Sequence, residues 1–288
     1  MPQLEYRILN VFAREGRLTG NPLCVFEDGQ GVDDATMQAL ARQFNLSETT
    51  FILPSAKATA RVRIFTPSYE MPFAGHPTLG TAHVVRSLKR TGDKIDLETH
   101  AGVFPVSAAG DRWTLAANPR RWREVTESRA ELASMLGLEP ADLVDRPLWV
   151  NTGKEQLIVP LASVAAVRRT RPRADAFARL KSEDGQSMAF VFAEGEQQAR
   201  TVEARFFFPN GPAILEDPAT GSACANLGGW YRVMRPGQGV DRVVSQGEAI
   251  HRPSTLYLSV APASAMGEGG RIFVGGNVIE LGRGRIEI

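Results

Sequence analysis

Three titratable side chains stand beside turns: Glu48 in "NLSETTFIL", His76 in "EMPFAGHPTLGTAHVV" and Asp217 in "EDPATGSACANLGGW". His76 and Asp217 are each followed by a proline, then by glycines and small residues that open an apolar run, the pattern of a helix start. Pro77 and Pro218 suit the first helical position, because proline lacks the amide hydrogen that would be unpaired there. The other first-turn N–H groups and the positive dipole end attract a carboxylate or phosphate. Gly75, Gly80 and Gly221 let such a ligand approach the backbone. Histidine is a poor cap and a positive helix end disfavours its charged form, so His76 stands evenly between core packing and acid–base chemistry. Asp217 alone needs no ligand, since Asp is a common N-cap. Glu48 alone reads as a capping or solvated glutamate.

Other chemistries find little support. His76 and His83, like Asp217 and Cys224, are seven residues apart, and seven residues span about 10.5 Å of helix. Two ligands of one ion at about 2 Å each cannot be so far apart, so no metal is expected. His83 and Cys224 are expected to be packed, and His100 and His251 join no constellation. The chain has no G-x-G-x-x-G after a strand, no phosphate loop, no G-x-S-x-G and no CxxC, so nucleotide cofactors, esterase chemistry and zinc find little support.

The elements that must hold these residues follow from periodicity. "LEYRILNVFA" and "PLCVF" read as strands. In "DDATMQALARQFNLSE", Met37, Leu40, Ala41 and Phe44 recur at helical spacing behind a capping Asp. That helix runs out at Asn45 and Leu46, and "TTFIL" begins a strand, which leaves Ser47 and Glu48 at the junction. "ATARVRIFT" is a strand, and a helix to about Arg90 follows the His76 motif. "IDLETHAGVFPVSAAGDRWTLAAN" is an antiparallel meander with turns at Ala-Gly and Gly-Asp. Beyond it, "ESRAELASMLGL" and "ADAFARL" are helical, "QLIVPL" and "MAFVFAE" are strands, and the tail from about Arg242 is strand and turn.

At 288 residues and 43% hydrophobic content the chain can bury a large core or two lobes. Lys+Arg 33 against Asp+Glu 32 points to neither nucleic acid nor an anionic membrane. "RRWR" (120 to 123) and "RRTRPR" (168 to 173) read as solvated faces or helix ends. Two cysteines make no disulfide framework, no apolar run approaches the roughly 20 residues of a spanning helix, and "MPQLEYRILNVFAREG" lacks a signal-peptide pattern. A soluble cytoplasmic protein is expected.

An internal repeat is the strongest organisational signal. "RIFTPSYEMPFAGHPTLGTAHVV" and "RFFFPNGPAILEDPATGSACANLGGW" share an arginine, an aromatic-rich strand, a loop and a helix start. Shifting by 141 sets His76 on Asp217, Pro77 on Pro218, Gly80 on Gly221 and Thr81 on Ser222. This predicts two similar lobes, each a sheet wrapped on a helix, with His76 and Asp217 at equivalent helix starts and a cleft between the lobes. The expected bounds are 1–117, completed by a C-terminal strand over 277–288, and 118–276.

With "GNPLCVF", "LARQFNLSETTFIL", "RIFTPSYEMPFAGHPTLGTAHVV", "EDPATGSACANLGGW" and "QGEAIHRPS" in this order, the whole chain resembles the PhzF family of phenazine biosynthesis-like isomerases. The resemblance implies an α+β, diaminopimelate epimerase-like fold: two pseudo-symmetric lobes, each an antiparallel β-barrel-like sheet around a central helix. It implies a cofactor-independent isomerase that moves a proton within a small carboxylate-bearing substrate, with Glu48 as acid/base and His76 and Asp217 assisting. Gly75, Gly221 and Ser222 look like donors to the substrate carboxylate, with Ser47 beside them, and the family resemblance implies a homodimer. Cys24 and Cys224 do not match the helix-start cysteines of the epimerases. His251 replaces the small residue expected before Arg-Pro-Ser. An amino-acid epimerase or racemase, and a non-catalytic protein that binds a small acid on the same fold, are the alternatives.

Overall fold

The computed structural model describes residues 3–117, 121–195, 200–262 and 270–288, so Arg120 of "RRWR" lies outside the described residues. The chain divides into two compact units, Met1–Ala116 with Gly275–Ile288, and Ala117–Val274. No helix among the described residues is long and apolar enough to cross a membrane.

The first unit contains strands β1 (Gln3–Ala13), β2 (Asn21–Phe26), β3 (Glu48–Leu53), β4 (Ala60–Phe65), β5 (Glu70–Met71), β6 (Lys94–Thr99), β7 (Gly102–Ala109) and β8 (Arg112–Ala117). Helix α1 (Asp34–Phe44) joins β2 to β3, and α2 (Gly75–Lys89) joins β5 to β6. In the second unit, β9 (Arg121–Glu124), α3 (Arg129–Leu136), β10 (Leu148–Asn151) and β11 (Glu155–Pro160) are followed by α4 (Val164–Arg169) and α5 (Ala174–Phe177). Then come β12 (Ala189–Glu194), β13 (Thr201–Asn210), β14 (Ala213–Asp217), α6 (Gly221–Met234), β15 (Val240–Gln246) and β16 (Ser254–Val260). The last strand, β17 (Ile272–Glu287), belongs to the first unit from Gly275 on.

In the first unit β1 pairs antiparallel with β2, β2 parallel with β3, β3 antiparallel with β4, and β4 parallel with β6. The meander β6–β7–β8 follows, and β17 pairs with both β8 and β1, which closes the sheet on itself as a barrel. Closure removes the exposed strand edges. Helix α2 packs against β1, β2, β3, β4, β6 and β7 and is buried on nearly every side, from His76 to Val85. A helix apolar all round is a core element. It reaches the strands closely because Gly80 has no side chain: a Cβ there would lie 2.4 Å from Leu23 Cδ2 and 2.9 Å from Val11 Cγ2.

The alternation of a strand decides which residues face which helix. Thr50 of β3 meets Thr81 of α2 at 2.8 Å between hydroxyl oxygens. Phe51, one residue on, joins Met37, Leu40 and Ala41 of α1 with Phe26 and Phe65, and its ring stacks on Phe26 at 4.7 Å. Glu48 shares the parity of Thr50 and so sits on the α2 side.

The second unit repeats this order of pairings. β10–β11 is antiparallel, β11–β12 parallel, β12–β13 and β13–β14 antiparallel, β13–β15 parallel and β15–β16 antiparallel. Helix α6 takes the place of α2, against β10, β11, β15 and β16. A second cluster, including Leu132, Trp149, Phe177 and Val191, fills the space under α3, α4 and α5. Arg168 and Arg169 of "RRTRPR" end α4 and pair with Glu203 and Asp142.

The structure corrects the register of the repeat. Helices α2 and α6 begin at Gly75 and Gly221, an offset of 146, so the counterpart of His76 is Ser222 rather than Asp217. Asp217 is the last residue of β14, Pro218 precedes the Thr220 N-cap, and Pro77 is the third residue of its helix. The reason lies in the hairpin before each helix. Arg63 pairs with Glu70 seven residues away, whereas the matching Arg205 pairs with Glu216 eleven residues away. The longer second hairpin moves the helix start, and the Pro-x-x-Gly match visible in the sequence does not follow it.

Candidate active site

Glu48 opens β3 directly after the end of α1, where Asn45 adopts the left-handed conformation (φ 52°) and donates its N–H to the Ala41 carbonyl. Parallel pairing sets Glu48 beside Leu23 of β2. Ser47 Oγ donates to Asn21 Oδ1 at 3.2 Å. His76 is the second residue of α2 and is 6% exposed; its Nε2 lies 3.4 Å from Glu48 Oε2.

Burial pushes the His76 pKa down to about 3, opposed in part by the ring's hydrogen bond to the Pro22 carbonyl. The imidazole is therefore neutral at pH 7, and its contact with Glu48 is not an ion pair. Nε2 makes no hydrogen bond, so the Pro22 carbonyl takes the Nδ1 hydrogen and Nε2 presents its lone pair to the Glu48 carboxyl. A carboxyl oxygen facing an imidazole lone pair is a place where one proton can pass between the two groups.

Asp33, Ser128 and Ser163 cap α1, α3 and α4 with side-chain oxygens, whereas the two buried helices α2 and α6, like the four-residue α5, have no side-chain cap. The N-cap of α2 is Ala74, which leaves the Gly75 and His76 N–H groups to an acceptor from outside the helix. At α6 the N-cap is Thr220, a residue well suited to capping, yet its hydroxyl donates to Asp217 Oδ2 at 2.5 Å and accepts from Gln246 Nε2 at 3.0 Å. Gln246, fully buried, also donates to the Asp217 carbonyl at 2.8 Å and accepts from Thr220 N at 3.2 Å. Asp217 is thus fixed beside the first turn of α6, where Gly221 and Ser222 follow.

Glu48, His76, Gly75 and Ser47 all belong to the first unit, and Asp217, Gly221 and Ser222 to the second. His251 is exposed, in the left-handed conformation (φ 57°), in the segment that includes Gly247. A Cβ on Gly247 would lie 2.6 Å from the Pro218 carbonyl oxygen, so this segment packs against the Asp217 turn. His83 Nδ1 accepts from Trp113 Nε1 at 3.3 Å, and His100 pairs with Glu70 at 3.0 Å. Both cysteines are buried, with thiol pKa values raised by desolvation. Among the described residues no three His, Cys, Asp or Glu side chains gather as metal ligands. Gln156 escapes sequence reasoning because an isolated buried amide carries no motif, and Asn226 and Gln246, although inside "EDPATGSACANLGGW" and "QGEAIHRPS", escape it because residue type does not tell a buried amide from an exposed one. The Arg63–Glu70 and Arg205–Glu216 pairs are half visible, as an arginine at the head of each repeat.

The family model for phenazine biosynthesis-like proteins matches residues 9–281. The chain belongs to that family. A relative in Pasteurella multocida, an uncharacterized isomerase, is 36% identical over 98% of this chain and 93% of its own. A trans-2,3-dihydro-3-hydroxyanthranilate isomerase of Pseudomonas aeruginosa is 35% identical over 97% of this chain and 98% of its own. The fold is shared with a PhzF family protein of Bacillus anthracis, whose crystal structure matches with a TM-score of 0.89 at 24% identity, covering all of both chains.

Proposed function

We propose that this isomerase moves a proton within a small carboxylate-bearing substrate, using its own side chains and no cofactor. The observation that carries the reading is the Glu48–His76 contact: a carboxyl at 3.4 Å from a buried, neutral imidazole, beside an uncapped helix start. Glu48 accepts a proton from a carbon acidified by conjugation, and the electron pair left behind is delocalised into the conjugated system. The same carboxyl then returns the proton to another carbon, so the step is an isomerisation with no net oxidation or reduction. His76 Nε2 faces the carboxyl and can share its proton. In the first unit Gly75 and Ser47, and in the second Gly221 and Ser222, are donors suited to a substrate carboxylate, and Asp217 is a further acid–base group beside the second set.

The repeat supports a one-base shift over a two-base epimerisation. The strand matching β3 is β12, and it starts at Ala189, preceded by Met188, where the first unit has Glu48. Neither can take a proton, and the buried thiols of Cys24 and Cys224 are raised away from thiolate formation. The test is incubation with trans-2,3-dihydro-3-hydroxyanthranilate in deuterated water, followed by NMR. Turnover with deuterium at the new C–H position, abolished in Glu48→Gln while ligand binding persists, is expected. Unaltered turnover by Glu48→Gln refutes the assignment.

A further inference from the structure

The Ser222 hydroxyl ends a hydrogen-bond chain whose direction the backbone dictates. Asn226, one turn further along α6, accepts through Oδ1 from the Thr152 N–H and Thr152 Oγ1, both at 2.8 Å. Its Nδ2 donates to the Lys154 carbonyl at 2.9 Å. A backbone N–H only donates and a carbonyl only accepts, so the Asn226 amide has one possible orientation. Its second Nδ2 hydrogen goes to Gln156 Oε1 at 2.7 Å, which turns Gln156 Nε2 onto Ser222 Oγ at 3.0 Å. Asn226 is 0% and Gln156 2% exposed, so water offers neither an alternative partner. Ser222 must accept from Gln156, so its own hydrogen is available to a different acceptor at the first turn of α6.

We infer that Gln156 is a positioning residue that holds the Ser222 hydroxyl as a hydrogen-bond donor to a carboxylate oxygen of the substrate, an inference that rests on the function proposed above. Without the chain, a helical serine can turn its hydroxyl back onto a carbonyl of the preceding turn. With it, the O–H joins the uncapped N–H groups of α6 as a set of donors suited to a negatively charged acceptor. The polarity of one buried amide thus reaches the ligand through two hydrogen bonds.

Gln156→Glu tests this, because it keeps the acceptor that Asn226 requires and replaces the donor with an oxygen that Ser222 must donate to. The probe is anthranilate, titrated by calorimetry. We expect Gln156→Glu to weaken its binding at pH 8 on the order of tenfold, the scale of a hydrogen bond to a charged group. Relative to wild type the loss shrinks as the pH falls, since the introduced carboxyl donates as the amide does once protonated. Ser222→Ala weakens binding similarly, and Gln156→Glu adds nothing to it. Gln156→Met, which removes the donor without introducing a charge, weakens binding in the Ser222 background and is neutral in Ser222→Ala. Additive losses, a loss indifferent to pH, unaltered binding in both Gln156 variants, or no anthranilate binding by wild type overturns the inference. Turnover in the same preparations separates it from the isomerase reading: the predicted binding pattern without turnover removes only that reading, and turnover with unaltered affinity removes only this one.

Discussion

Keeping His76 neutral in the folded state has a thermodynamic consequence that acid exposes. The ring titrates near its ordinary value of 6.5 when unfolded and at about 3 when folded. Between those values the unfolded chain binds a proton that the native one refuses, so stability falls as the pH drops below 6.5 and the loss is complete near 3. From pH 7 to pH 5 the loss from this one residue is about 2 kcal/mol, from a slope of about 1.4 kcal/mol per pH unit once the unfolded ring is protonated. His76→Gln removes the titration and keeps a donor for the Pro22 carbonyl. Urea denaturation of both proteins at both pH values gives a double difference in which titrating groups that do not touch the ring, His83 included, cancel. We expect wild type to lose about 2 kcal/mol more than His76→Gln over that interval. Equal losses mean that the ring is not held neutral by burial, and the proton-sharing role built on its neutrality fails with it.

Gly80→Ala forces a methyl into Leu23 and Val11 and is expected to cost about 1–3 kcal/mol, read as a lowered denaturation midpoint. Arg205→Ala leaves Glu216, 6% exposed at its side chain, without the guanidinium that donates twice to its Oε2. The expected destabilisation is about 3–5 kcal/mol, and a variant as stable as wild type refutes the buried-pair account. Cys24 and Cys224, buried with raised thiol pKa values, should resist a disulfide reagent such as DTNB in the native protein and both react in denaturant. Rapid labelling of either in native buffer contradicts their burial.

Locally encoded features were legible in the sequence. Asp33 caps α1, Met37, Leu40 and Ala41 form its buried face, and Asn45 ends it, all within one stretch of chain. The Ser128 capping box likewise starts α3 from residues three apart. The family was legible because its motifs are contiguous, and the repeat because each half carries its arginine, aromatic strand and small-residue helix start. The register of the repeat was not. It depends on the length of the β13–β14 hairpin, which is set by where Arg205 meets Glu216 across two strands.

The candidate site divides along the same line. Residue types at turns drew attention to Glu48, His76 and Asp217, but residue type could not separate a solvated glutamate from one that meets an imidazole 28 positions away. The tertiary structure decided that: the parity of β3 turns Glu48 to the helix inside the barrel, and the barrel wall around α2 strips water from His76. Desolvation belongs to the surroundings of a ring and not to its own sequence, so its protonation state became readable only when the strands had closed around it.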